Sequence, residues 1–312
     1  LLKFGEKKGY IRRFLLQINS WWIIDLKICD APFYLDVTLC CGQVFRWDKV
    51  GDWWYGVAGD RVFKVCQIKG NFAYENVEEE FVEHYFGLDD DLEKILESIN
   101  KDSHIKKAIK RYWGLRIIKQ DPWECLVSYI CATYKSIAAI KHMLNNLSKS
   151  FGIKKTLNGL DFYTFPKCEK LARAKEEELK VCGLGYRAKY LLETSKIIYE
   201  NKFDLEDLRS LPYEQAKRVL TNFPGVGAKV ADCVLLFSLG KTEAFPVDVW
   251  VKRVILNHYS ERISPELAKK LQGNESISNK NYEQLNTFGR NYFGEYAGFA
   301  QEYLYHYERM RI

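Results

Sequence analysis

No stretch of this 312-residue chain approaches the roughly 18 apolar residues that a membrane-spanning helix needs. None of its nine cysteines, at 29, 40, 41, 66, 125, 131, 168, 182 and 233, pairs as CxxC, so neither a zinc ribbon nor a cluster-binding loop is visible. The apolar run after the basic residues of LLKFGEKKGYIRRFLLQ is too short for a secretory signal. There is no internal repeat and no low-complexity linker. The expectation from these absences is an intracellular protein whose scattered thiols are mostly buried and free in a reducing compartment.

What is present is apolar and aromatic, at 47% and 15% of residues, which places the chain among globular proteins. The net charge of +6 is modest, but it is unevenly spread. Residues 76–103 form an acidic block, whereas 106–119 and 140–155 are basic. A molecule with one cationic face fits a polyanion partner, and nucleic acid is the commonest such partner.

The pattern between Phe33 and Tyr74 is β-rich and broken by turn signals. GQVFRW, WWYGVA, RVFKVCQI and NFAYENV are four strand candidates, expected to form a twisted antiparallel sheet with one covered face. After about Glu78 the strand signal stops and about ten helices follow, one opened by Asp121 as N-cap and Pro122 in the first turn. The expected fold class is α+β. A basic extension (1–24) precedes a small N-terminal antiparallel β domain (25–115) and a mostly helical domain (116–312), whose C-terminal helix is free to pack back on the sheet.

SLPYEQAKRVLTN and AKVADCVLLFSL read as two helices joined by FPGVG, a helix-hairpin-helix. Gly225 and Gly227 let the backbone take positive φ or approach a ligand closely, and the second helix offers unpaired N–H groups to a phosphate. Lys229 lies in the first turn of that helix with Cys233 one turn on. A cation there opposes the helix dipole, which costs about 0.3–1 kcal/mol. Lys229 is thus either a snorkelling surface lysine or an amine nucleophile. Asp248 precedes an apolar helix as an N-cap, a position from which a carboxylate can also stabilise positive charge on a sugar ring.

These stretches, FPGVGAKVADCVLLF and AFPVDVWVKR, resemble the helix-hairpin-helix DNA glycosylases with a Gly/Pro-rich loop and an essential aspartate. Lys229 stands where the bifunctional members carry a lysine. Within that superfamily the chain resembles the 8-oxoguanine DNA glycosylase/AP lyase family. CGQVFRW (41–47), QDPWECLVSYIC (120–131), LGYRAKY (184–190) and YAGFAQEYLY (296–305) are similar to its motifs, in order, over about residues 25–308.

The resemblance implies an enzyme, acting as a monomer alongside the DNA, that flips 8-oxoguanine out of duplex DNA into a pocket. Gln301 would bond the Watson–Crick edge while Tyr305 and Cys233 sandwich the ring; Gln301 and Tyr305, four residues apart, share a helix face. The Gly42 carbonyl would accept the N7–H that distinguishes oxidised guanine from guanine. Lys229 would attack C1′, Asp248 would stabilise the developing charge, and β-elimination would nick the strand. No cofactor or metal is required, although the carbonyls of Thr221, Phe223 and Val226 offer a place for a monovalent cation. A monofunctional alkyl-base glycosylase lacks the hairpin lysine, and an iron–sulfur relative needs four clustered C-terminal cysteines. A non-enzymatic DNA-binding module has no use for Lys229, Asp248 and Gln301 together.

Three positions depart from the family pattern. TYKS (133–136) replaces an asparagine run and sets Tyr134 as the wedge that fills the gap left by the flipped nucleotide. Ala139 stands where an arginine contacts the opposite cytosine, while Arg187 is retained. Trp250 replaces a histidine expected near a DNA phosphate.

Overall fold

The computed structural model describes residues 32–68, 71–273 and 276–311 in full, together with the backbone of short strands at Gln17–Ile18, Trp21–Trp22 and Leu26–Lys27. The rest of the basic extension expected over 1–24, and Cys29, lie outside the described residues.

An antiparallel sheet of five strands runs in the order Leu26–Lys27, Asn71–Glu75, Arg61–Ile68, Trp53–Ala58, Trp47–Val50. One face carries Trp47, Trp54, Phe63 and Phe72 into a core closed by Tyr85 and Phe86. Trp47 is 2% exposed and meets Phe63 edge to face, with centroids 5.1 Å apart. Burying an aromatic side chain of this kind stabilises by about 1.5–3 kcal/mol.

The other face is not open, contrary to the sequence expectation. Tyr55 stacks on Phe162, which belongs to a hairpin of Lys154–Leu157 and Leu160–Tyr163 far along the chain. That hairpin also corrects the expectation that strands end near Glu78. Its turn is Asn158-Gly159, both at positive φ, the residue pair that tight hairpins favour.

Three further boundaries differ. GQVFRW is irregular up to Arg46, and pairing begins only at Trp47, because the Gln43 side chain bonds elsewhere as described below. Leu35–Cys40 is a short helix, its Val and Thr overruled by burial of Leu35, Val37 and Thr38. The basic run after residue 103 begins as a helix, Ser103–Arg111, opened by Asp102, whose carboxylate accepts from the His104 and Ile105 N–H groups. Further along, Cys168–Ala172 and Glu176–Leu179 are separate helices, because the Glu178 carboxylate accepts from the Lys175 N–H and starts a new turn.

Three helices make the centre of the helical part. In Pro122–Ala132 every residue except Trp123 is buried, as a helix apolar on all sides requires. Asp121 caps it, accepting from the Glu124 N–H at 2.8 Å, and Pro122 occupies the first position. Ala228–Phe237 packs against it, and Ala297–Arg309 returns towards the N-terminal part. The Tyr303 hydroxyl donates to the Leu115 carbonyl, and the Arg309 guanidinium to the carbonyls of Cys40 and Cys41. A buried ion pair, Arg46–Glu124 at 3.1 Å, ties the sheet to the central helix. All eight described cysteines are free, and only Cys40 is exposed.

Candidate functional site

The hairpin forms as expected: Tyr213–Leu220, a turn, then Ala228–Phe237. The two glycines do different things. Gly225 has φ +80° and a Cβ there would lie 2.8 Å from the Tyr190 Cβ, so only glycine fits. Gly227 has φ −86° and open space around it; its missing side chain leaves the helix start accessible. No side chain caps that start, so its first N–H groups point at whatever approaches. Phe223 and Val226 are buried in the turn while Thr221 is exposed, and the Phe223 carbonyl already accepts the Val226 N–H.

Behind the turn the molecule holds a small inner cavity. Lys229, Cys233 and Phe237 line it from one helix, spaced four residues apart and therefore on one face. Gln301, Glu302 and Tyr305 enter from the C-terminal helix, Asp248 from the start of Val249–His258, and Gly42 from the loop after Leu35–Cys40. The cavity opens into a larger groove of about 1950 Å³ that runs past Tyr134, Gly225, Gly227 and Trp250. Gly42, Tyr129, Lys229, Asp248 and Tyr305 line both spaces and so form the rim between them.

The loop bearing Gly42 is fixed by its neighbour. Gln43 is fully buried and its amide donates to the carbonyls of Thr38 and Arg116, while its oxygen accepts the Ile118 N–H at 2.7 Å. The Gln43 carbonyl in turn accepts from Gln120 Nε2 and the Tyr129 hydroxyl. Held on both sides, Gly42 adopts φ +105°. This is the reason GQVF cannot join the sheet.

Asp248 does two jobs with one carboxylate. Oδ1 accepts from the Trp250 and Val251 N–H groups at 2.9 and 2.8 Å, which fixes the helix start. Burial raises its pKa, opposed by the Lys229 charge and those two hydrogen bonds. Burial pushes the Cys233 thiol up to about 12 despite Lys229 beside it, so Cys233 faces the cavity as a neutral thiol, not as a thiolate. Gln301 is 5% exposed, and its Oε1 has no hydrogen-bond partner among the described residues. A buried acceptor left unpaired in a cavity wall is available to a water or a ligand.

The structure thus brings Gly42, Lys229, Cys233, Asp248, Gln301 and Tyr305 around one cavity, and Tyr134, Gly225, Gly227 and Trp250 along the groove outside it. Tyr134 is 87% exposed at φ +54°, and Trp250 lies under the Arg253 guanidinium at 4.7 Å. Arg187 stands apart from the others. It is 4% exposed, its guanidinium donates to the Thr133 carbonyl and lies over the Tyr186 ring, and it therefore braces the Tyr134 loop from within.

Sequence reasoning missed Tyr129, Phe237, Glu302 and Arg309. Phe237 and Arg309 were signalled by spacing, each continuing an i, i+4 row that already held two site residues, 229–233 and 301–305. Tyr129 lay inside a quoted motif without a role. Arg309 donates to the Tyr305 hydroxyl at 3.0 Å and so orients that ring.

Comparison with known proteins agrees with this architecture. Residues 25–126 match the family described as 8-oxoguanine DNA glycosylase, N-terminal domain, and 127–274 match the HhH-GPD superfamily of base excision DNA repair proteins. A probable N-glycosylase/DNA lyase of Methanothermobacter thermautotrophicus is 33% identical over 250 residues, covering 74% of each chain. The N-glycosylase/DNA lyase OGG1 of Arabidopsis thaliana is 31% identical over 300 residues, covering 90% of this chain and 78% of its own. The crystal structure of Clostridium acetobutylicum 8-oxoguanine glycosylase/lyase, solved with double-stranded DNA containing cytosine opposite 8-oxoguanine, superimposes with a TM-score of 0.81. That structure is 35% identical and covers 90% of this chain and 93% of its own. The chain belongs to the 8-oxoguanine DNA glycosylase/lyase family of the helix-hairpin-helix superfamily.

Proposed function

We propose that this protein is a bifunctional DNA repair enzyme that excises 8-oxoguanine from duplex DNA and then cuts the strand. The observation that carries the assignment of roles is the shared rim: Lys229 and Asp248 line both the inner cavity and the outer groove. A base extruded from a duplex in the groove into the cavity brings its sugar to the rim to which these two side chains belong. The base must leave the stack to be reached at all.

In this arrangement Lys229 Nζ forms a bond to C1′ while the C1′–N9 bond breaks and its electron pair departs with the base. Asp248, immobilised by two backbone N–H groups, stabilises the positive charge that develops on the sugar. Loss of a proton and opening of the sugar ring give a Schiff base. Removal of a C2′ proton then expels the 3′ phosphate oxygen, which is the β-elimination. Cys233 and Tyr305 flank the purine, Gln301 Oε1 accepts from its Watson–Crick edge, and the Gly42 carbonyl accepts N7–H. The exposed helix start after Gly227 takes a backbone phosphate, and Tyr134 stacks into the vacated position in the duplex.

The test is trapping. Incubation with an 8-oxoguanine duplex and borohydride yields a covalent protein–DNA adduct that Lys229→Gln abolishes; an adduct of equal yield in that variant refutes the assignment of the nucleophile.

A further inference from the structure

Glu302 is the one carboxyl group in the inner cavity that the proposed chemistry leaves without a task. It is 2% exposed and lines the cavity with Gln301, Lys229, Cys233 and Asp248. The Cys41 thiol, which donates to the Thr38 carbonyl, acts on its carboxyl, yet Oε1 is buried without a hydrogen-bond partner among the described residues. Gln301 Oε1 is in the same state on the neighbouring residue. Two buried, unsatisfied oxygens on neighbouring residues that both line one cavity make a binding surface that a donor-rich ligand would complete.

Resting on the proposed function, we infer that Glu302 is a further base-contacting residue, whose free carboxyl oxygen accepts a hydrogen bond from an N–H group of the extruded purine. The ligand class follows from the count of acceptors. Gln301 Oε1, Glu302 Oε1 and the Gly42 carbonyl form an acceptor-lined pocket, which suits a purine bearing donors on both edges. An 8-oxoguanine presents N1–H, an exocyclic NH2 and N7–H; guanine lacks the last, and adenine turns an acceptor where guanine has N1–H. The pocket would therefore read donors, and Glu302 widens that reading beyond the Gln301 amide.

A carboxylic acid keeps one carbonyl oxygen and still accepts, but the carboxylate accepts more strongly, so the contact changes in strength as Glu302 titrates. Burial holds the Glu302 pKa at about 7, with Asp248 adding to the rise and the Cys41 contact and Arg309 opposing it. The other titratable groups around it are the thiols of Cys41 and Cys233, the phenols of Tyr129 and Tyr305, and Lys229.

The experiment compares two single-turnover rates in each protein: excision of 8-oxoguanine, and incision at a preformed abasic site, where no base occupies the pocket. Glu302→Leu is expected to lower the ratio of excision to incision about 10- to 100-fold, the loss of one to two buried hydrogen bonds. Glu302→Gln, which keeps an acceptor and the side-chain volume, is expected to restore most of that ratio. The wild-type ratio should change as pH passes through about 7, and Glu302→Gln should abolish that inflection. A parallel fall of both rates in Glu302→Leu, or an unchanged ratio, overturns the inference and assigns Glu302 to packing alone. A wild-type protein that incises abasic DNA without excising 8-oxoguanine overturns instead the reading of the cavity as an 8-oxoguanine pocket.

Discussion

Adding one methyl group at Gly42 tests the geometry of the site most directly. The backbone there has φ +105°, a region that L-residues avoid at a cost of about 1–2 kcal/mol. The new Cβ would lie 3.0 Å from Arg309 Nη1 and 3.4 Å from both the Tyr305 hydroxyl and Ile137 Cδ1. Arg309 must yield, and its bonds to the Cys41 carbonyl and the Tyr305 hydroxyl are the ones at risk. Hydrogen bonds to a charged group contribute about 1.5–3 kcal/mol, so Gly42→Ala should destabilise by about 2–4 kcal/mol in urea denaturation. Function should suffer at the base-reading step. If the carbonyl turns away from N7–H, excision of 8-oxoguanine should fall by about 10- to 100-fold more than incision of abasic DNA does. A variant with wild-type stability and an unchanged ratio of the two rates would refute both the strain argument and the assigned contact.

Arg46→Leu strands the buried Glu124 carboxylate with only the Gly59 N–H, and urea denaturation should show a loss of about 3–5 kcal/mol. The pH dependence of stability should carry a signature of Glu302, whose pKa rises from 4.5 to about 7 on folding. A raised carboxyl pKa stabilises the fold below about pH 4.5, and that contribution disappears as pH rises towards 7. Glu302→Gln should remove this decline and be about 3 kcal/mol more stable than wild type above pH 7, measured by urea titration at several pH values. With Ala139 in place of an arginine and Tyr134 filling the duplex by stacking, excision rates opposite each of the four bases should be similar; a strong preference for cytosine would refute this. Tyr134→Ala should weaken binding to lesion DNA by about 1–3 kcal/mol in fluorescence anisotropy.

The local features legible in the sequence were those where side-chain chemistry and position agree. Asp121 before Pro122 and Asp248 before an apolar run are cap signals, and both caps form. Lys229 against the helix dipole was ambiguous alone and became informative only beside Asp248 and Gln301. The failures have physical causes. GQVFRW has strand composition, but Gln43 spends its side chain on carbonyls and amides 5 to 75 residues away, which composition does not reveal. LDVTLC folds as a helix because tertiary burial outweighs its Val and Thr. Asn158-Gly159 was a legible turn signal, hidden between basic helical segments. Arg187 illustrates the limit of motif transfer: the residue is retained, but the structure buries it beneath the Tyr134 loop.

The bond from Arg309 to the Cys41 carbonyl spans 268 positions of sequence. One wall of the cavity is therefore made by the loop at Gly42, and another by the helix Ala297–Arg309. During synthesis, a chain not yet extended to Ala297 has the hairpin, Lys229 and Asp248 but lacks the wall that Gln301, Glu302 and Tyr305 provide. Such long-range closure slows folding, since distant segments must meet before the contacts reward them. On the proposed chemistry, Lys229 is therefore competent only once Ala297–Arg309 is in place, and copies cut short of that helix are expected to bind DNA through the hairpin without cutting it.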